Sequence, residues 1–261
     1  MHKGFIHKTY EGMEYLVSPL LESEGVRHCF TTRLGGYSED HLESLNLGLG
    51  RGDDEEALRK NYEKVALALG FNIENLSVTK QVHETRSAYI KAPRLRSEGC
   101  DALFTDKCGI PLMSYSADCI PVLMYDKRKK AAATVHSGWR GTAAKICAAV
   151  ISDMKNELGT DPGDLICAIG PSIGPCCFQI KSDAVEVFLK NFENTDFIRP
   201  EGDNVHYKAD IWEAVCRTLK EAGVRDENID LAAECSYCND IYFSCRRQKG
   251  RFGAMGAFIE L

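Results

Sequence analysis

The sequence predicts a single-domain α+β protein in which strands and helices are mixed along residues 1–261. Three observations point there. Residues 101–125 supply short apolar runs in succession, the pattern of strands in a buried sheet. Helical stretches at 53–69, 182–192 and 210–221 are scattered on either side of that middle. No linker, repeat or low-complexity segment divides the chain.

Taken in order, Val26-Arg27-His28-Cys29-Phe30-Thr31-Thr32 has strand character and delivers Arg33 to the Gly35-Gly36 turn. Glycine lets the backbone approach a ligand closely, so this turn suits an anion; a plain loop with a surface arginine is the other reading. Ser44 to Gly50 is glycine-rich but lacks a phosphate-loop pattern. Asp53 to Leu69 reads as a helix, with an acidic start, an apolar stripe of Ala57, Leu58, Tyr62, Val65 and Leu69, and Gly70 as its stop. Leu76 to Val82 and Arg86 to Ile90 read as strands flanking His83, and a lone histidine there is more often structural than functional.

The stretch Ser114 to Thr142 organises the rest. Ile120 to Tyr125 is an apolar strand, Asp126 to Lys130 a charged turn, and Ala131 to Val135 a second strand ending in His136-Ser137-Gly138-Trp139-Arg140-Gly141-Thr142. The short turn brings Cys119 and His136 together at the ends of neighbouring strands, a rigid support for chemistry. Gly141-Thr142 is expected to open a long helix reaching about Leu158, with Thr142 as N-cap. Arg140 and that helix start then place positive potential beside His136.

Leu165 to Ile169 is a strand that ends in the turn-rich run Gly170 to Cys177. Adjacent cysteines do not easily point at one metal, so Cys176 and Cys177 read as packing residues. Ser182 to Phe192 and Asp210 to Glu221 are helices. Cys235-Ser236-Tyr237-Cys238 is a lone C-x-x-C, a weak zinc signal that reads as packing or incidental thiols. Gly253 to Leu261 closes the sheet as a last strand.

Composition narrows the function classes. Apolar content of 44% and charged content of 27% are ordinary for a globular chain. A net charge of −6 and a pI near 5.7 argue against nucleic acid or anionic membrane as partner. The run Asp126 to Lys130 reads as a solvated turn. No apolar segment approaches the roughly 18 residues of a membrane span, and Met1 to Lys8 has no apolar core of a secretory signal. A cytoplasmic location is expected. The twelve cysteines then read as reduced thiols, a minority of them available for metal or reaction.

Several motifs together resemble a known family. They are Thr31-Thr32-Arg33-Leu34-Gly35-Gly36, Leu45-Asn46-Leu47-Gly48, Gln81-Val82-His83, Ala117-Asp118-Cys119, Val135 to Thr142, Ile169 to Cys177 and Phe243-Ser244-Cys245-Arg246-Arg247. In this order they are similar to the YfiH-like family, once called multicopper polyphenol oxidases and now regarded as purine nucleoside phosphorylases. The resemblance covers the chain from about residue 26, and the His136 motif is its most specific part. It implies a sandwich of mixed β-sheets flanked by helices, and one zinc bound by His83, Cys119 and His136. The chain departs from the family pattern at Cys245, where an aromatic residue or histidine is common.

Two imidazoles and one thiolate leave a tetrahedral zinc with an open position, the arrangement of a catalytic site. Asp118 reads either as the carboxylate that orients a histidine or as a turn acid. Arg33 and Arg140 are candidates for phosphate, and Asn46 for ribose or base edge or for a turn. The implied reaction cleaves adenosine- or inosine-type nucleosides with phosphate to free base and ribose 1-phosphate, with adenosine deamination as a side activity. The nucleobase-deaminase signature is absent. A true multicopper laccase needs roughly ten histidines; the chain has seven, which leaves copper as an alternative occupant with weak phenol oxidation. A Cys–His hydrolase or deamidase with Cys119 as nucleophile, and a binding protein without activity, are the other readings. The sequence assigns neither oligomeric state nor preferred purine, nor which of Arg246 and Arg247 reaches the site.

Overall fold

Alternation along two neighbouring strands dictates the layering. On Ile120–Asp126, Val122 and Met124 point to one side, and Leu123 and Tyr125 to the other. Ala131, Ala133 and Val135 of Ala131–Ser137 join the first side, and Ala132 joins the second. Both faces are therefore buried, and the sheet must be covered twice. The computed structural model, which describes residues 4–94, 96–97, 99–203 and 205–261, covers it with a second sheet and with helices. Met1 to Lys3, part of the N-terminal stretch read above, lie outside the described residues.

One six-stranded sheet runs Ile229–Leu231, Leu165–Ile169, Ile120–Asp126, Ala131–Ser137, Ala102–Thr105, Ser87–Tyr89. The other runs Ile6–Tyr10, Met13–Val17, Arg27–Thr31, Met255–Glu260, Leu112–Ser116, Ser77–Val78. Leu16, Phe30, Leu112 and Ile259 of one sheet pack against Leu103, Leu123 and Ile166 of the other. Helices Ile146–Leu158, Ser182–Asn191 and Ile211–Glu221 cover the first sheet's outer face, and Glu55–Leu69 covers the second's. The result is a mixed α+β sandwich with helices outside both sheets, as expected. A small antiparallel sheet, Gln179–Lys181, His206–Ala209 and Ile198–Pro200, stands beside it.

Local signals explain most boundaries. Asp54 caps Glu55–Leu69 through Ala57 N–H, and Gly70 ends it in the left-handed region. Asp210 likewise caps Ile211–Glu221 through Glu213 N–H. The last strand, Met255–Glu260, lies inside its sheet between Arg27–Thr31 and Leu112–Ser116.

Two expectations are corrected. The helix after His136 starts at Trp139 with Gly138 as N-cap, and it is not continuous. The backbone turns left-handed at Lys145, φ 58°, and Ile146–Leu158 is a separate helix. Thr142 caps neither; its hydroxyl pairs with Ser137 Oγ at 2.8 Å and with the Gly138 carbonyl at 3.1 Å. The strand expected over Leu76 to Val82 is only Ser77–Val78. Beyond it the Gln81 side chain does a strand's pairing, accepting from Tyr115 N–H at 2.7 Å and donating to Tyr115 O at 3.2 Å. That leaves the backbone of 82–84 free to turn towards Asp101.

Candidate active site

Asp101 is the residue on which this site is built. Its carboxylate is fully buried and accepts the backbone N–H groups of Val82, His83 and Glu84 at 3.1, 3.0 and 2.9 Å. Three successive amides wrapped on one anion require a tight turn, and His83 takes it up with φ 61°. The same carboxylate lies 2.8 Å from His136 Nδ1. It therefore fixes the orientation of the ring: Nδ1 keeps its proton towards Asp101, and Nε2 is the nitrogen that remains for the other two groups. Antiparallel pairing supplies the third group, since Ile120 sits opposite Ser137 and Pro121 opposite His136, with Cys119 just before.

The ligand atoms of His83, Cys119 and His136 lie within 4.8 Å of one another. The two imidazole rings meet edge to face with centroids 4.8 Å apart. Gly138 lies against all three: an added Cβ would fall 2.7 Å from His83 Nδ1 and 3.4 Å from Cys119 Sγ. A side chain at 138 would occupy the space where the three groups converge.

The charges are arranged as a donor set for a cation. Burial works against a charged His136, but Cys119 and Asp101 outweigh it and push its pKa to about 9. Burial and the neighbouring His136 push His83 the other way, below the usual histidine value. Burial alone would raise Asp101, yet His136 and the amides of Glu84 and Val82 hold it below the usual carboxylate value. An ion that took the place of the Nε2 proton of His136 would find a thiol and a second imidazole beside it, a donor set that fits a metal of the borderline-soft kind.

These groups open into a cavity of about 500 Å³, in the range of small-ligand sites. Tyr115, Phe178 and Phe252 present aromatic surface in it. Exposed Arg51, Arg246 and Lys249 bring positive charge to the same cavity. Arg51 stacks over Phe252 at 4.2 Å, and among the described residues no carboxylate bridges it. Arg246, the arginine left open by the sequence, lines the cavity; Arg247 spends its guanidinium on the carbonyls of Ser236, Tyr237, Asn239 and Tyr242.

Of the other candidates, Arg33 and Asn46 lie elsewhere, Arg140 stands on the cavity wall Trp139 with its charge acting on His83, and Asp118 lines the cavity. Arg33 donates from Nε to Glu43 O at 2.8 Å, stacks on Phe243 and lines a separate pocket. Asn46 is fully buried and committed to backbone structure, donating to Asp53 and accepting from Gly48 and Ala254 N–H. Arg140 is exposed, lies over Trp139 at 4.3 Å and is not among the cavity-lining residues. Asp118 is corrected as well. It orients no histidine but accepts from Ser236 Oγ and Arg246 N–H, both at 2.7 Å, and so ties the tail to the Cys119 loop. Asp101 holds the role the sequence offered to Asp118. A lone acid in Cys100-Asp101-Ala102 carries no local signal, so the sequence passed over it.

A second correction concerns the remaining cysteines. The ligand atoms of Cys176, Cys177, Cys235 and Cys238 also lie within 4.8 Å of one another. Adjacent Cys176 and Cys177 do converge, because they sit in a turn closed by Cys177 N–H to Gly174 O at 2.9 Å. In such a turn successive side chains fan out rather than oppose each other as on a strand.

Comparison with known proteins adds to the geometry. A family model described as "Multi-copper polyphenol oxidoreductase laccase" matches residues 27–261. A protein of Bacteroides thetaiotaomicron named purine nucleoside phosphorylase is 36% identical, covering 85% of this chain and 86% of its own. Another, purine nucleoside phosphorylase YlmD of Geobacillus stearothermophilus, is 32% identical, with 88% of each chain covered. The crystal structure of a Bacillus licheniformis hypothetical protein YfiH superposes with a TM-score of 0.89 at 29% identity, over 98% of both chains.

Proposed function

This chain belongs to the YfiH-like family, the one whose model carries the laccase description, and we propose that it is a zinc-dependent purine nucleoside phosphorylase of the cytoplasm. One observation carries the reading: a His–Cys–His donor set and three cationic side chains share one cavity with aromatic walls. His83, Cys119 and His136 would hold the ion, leaving one of four tetrahedral positions open. When bound there, zinc supplies Lewis-acid polarisation of a substrate oxygen. Copper suits the same donors, and that alternative keeps weak phenol oxidation in view.

The chain's own groups account for the rest. Arg51, Arg246 and Lys249 would gather the phosphate, and guanidinium forks match its oxygens. The faces of Phe178, Phe252 and Tyr115 would stack on the purine. A phosphate oxygen attacks the anomeric carbon while the bond from that carbon to the purine nitrogen breaks. The bonding pair leaves with the base, whose nitrogen takes up the proton that the phosphate gives up, and ribose 1-phosphate remains. Holding the phosphate anion against the anomeric carbon favours this step, because the negative charge faces a sugar that develops oxocarbenium character in the transition state. Adenosine deamination at the same donors is the secondary activity of this reading.

The test is hypoxanthine release from inosine with and without phosphate. Release only with phosphate, together with ribose 1-phosphate, is the expected result. Equal release without phosphate would make the protein a hydrolase. Full activity in metal-free, iodoacetamide-sensitive protein would favour Cys119 as nucleophile instead.

A further inference from the structure

The four thiols of Cys176, Cys177, Cys235 and Cys238 stand apart from the cavity-lining residues, and the proposed reaction has no use for them. Two turns deliver them. One is the turn after Gly174; the other is closed by Asn239 N–H to Cys235 O at 3.0 Å, which puts Cys235 and Cys238 on one side. Cys238 Sγ lies 3.2 Å from Cys177 Sγ and 3.5 Å from Cys176 Sγ. A disulfide needs about 2.05 Å between sulfurs. Four sulfurs around a tetrahedral zinc at about 2.3 Å each stand about 3.8 Å apart, close to this spacing.

The surroundings suit thiolate sulfur. Gly174 N–H donates to Cys235 Sγ at 3.2 Å, so one turn already hydrogen-bonds the sulfur of the other. Gly174 has no room for more, since an added Cβ would lie 2.7 Å from the Trp212 ring and 3.3 Å from Cys235 Cβ. Lys208 donates from Nζ to the Cys176 carbonyl at 2.9 Å and brings positive charge to a cluster that four thiolates would leave negative around a divalent ion. We propose that Cys176, Cys177, Cys235 and Cys238 form a closed tetrathiolate zinc site that clamps the tail to the turn after Ile169.

The clamp has a purpose in the fold. Ser236, inside the C-x-x-C, donates to Asp118 next to Cys119, and Ile173, four residues before Cys177, donates its N–H to Asp118 O at 2.9 Å. Ile173 and Phe178 are walls of the cavity. Fixing the two turns to one ion would fix those walls and the Asp118 contacts together. Because all four positions are filled by sulfur, the ion has no open site and does no chemistry of its own.

The proposal is tested on full-length protein purified without added metal, by zinc content per chain and by the absorption of the cobalt-exchanged form. Cys119→Ala disables the cavity's donor set, so zinc that remains in it reports the four thiols. About one zinc per chain, with an intense sulfur-to-cobalt charge-transfer band after exchange, is expected there. Cys177→Ser/Cys238→Ser in the same background should lose that zinc, and Cys177→His/Cys238→His, which puts a donor back at both positions, should hold it; the difference separates ligand loss from misfolding. Zinc-free Cys119→Ala protein, iron in place of zinc, a Cys177–Cys238 disulfide in the peptide map, or zinc retained by the double serine variant would each overturn the site.

Discussion

Asp101 holds His136 Nδ1 at 2.8 Å while its other contacts gather the three amides that shape the His83 turn. One carboxylate thus sets the ring orientation of one donor and the position of another. Asp101→Asn replaces an acceptor-only group with one whose NH₂ must face an N–H donor. We expect metal affinity at the His83–Cys119–His136 set to fall by about 10- to 100-fold, as for other carboxylates behind ligating histidines. Competition against a chromophoric chelator measures it. An unchanged affinity would remove Asp101 from the site's design.

Gly138 makes the second prediction. An added Cβ there would lie 2.7 Å from His83 Nδ1, too close to be tolerated, and 3.4 Å from both Cys119 Sγ and His136 Cε1. Gly138→Ala should leave the fold intact, since φ −67° and ψ 163° suit any residue. It should nonetheless expel the metal and the activity together. Circular dichroism and metal content on the same sample separate the two effects; metal retained at wild-type level would refute the steric argument.

How much of this was legible depended on how local the cause was. Glu55–Leu69 was readable because its cap, stripe and stop all lie within its own span. His83, Cys119 and His136 were readable because residue type and motif named them. Asp101 was not, because its partners come from two other segments, residues 82–84 and 136, and it looks like any turn acid by itself. The break at Lys145 was hidden because lysine is a good helix former; its ammonium is drawn to Glu221 at 2.7 Å and to the Phe192 ring. The four clustered cysteines lie on two segments some sixty residues apart, a pairing that only the fold reveals.

A third prediction concerns pH and a histidine far from the chemistry. His28 is buried, accepts Ser18 N–H on Nε2 and faces the Val26 carbonyl with Nδ1, both at 2.8 Å, so it must be neutral. Burial holds its pKa below the ordinary value of 6.5. As pH falls through that value, the unfolded chain takes up a proton that the folded chain refuses. Stability from this group is thus full above the unfolded pKa and is lost as pH falls towards the folded one. His28→Gln should be less stable than wild type at neutral pH, with the gap narrowing in mild acid. Melting temperatures of both proteins across that window measure it; a gap that widens in acid would reverse the sign.

The last prediction separates the arginines. Arg33 spends its Nε on the Glu43 carbonyl and its face on Phe243, in a different pocket. Arg51 lies in the cavity over Phe252. If phosphate is gathered in the cavity, Arg51→Ala should raise the KM for phosphate and lower kcat/KM by about 10²-fold, the scale of one lost charge-stabilising donor. Arg51→Lys should recover part of it, since charge returns without the fork. Arg33→Ala should leave phosphate dependence unchanged. Steady-state kinetics with phosphate varied at fixed inosine decide the matter. Equal losses from Arg33→Ala and Arg51→Ala would move the anion site out of the cavity, because only Arg51 of these two lines the cavity that holds His83, Cys119 and His136.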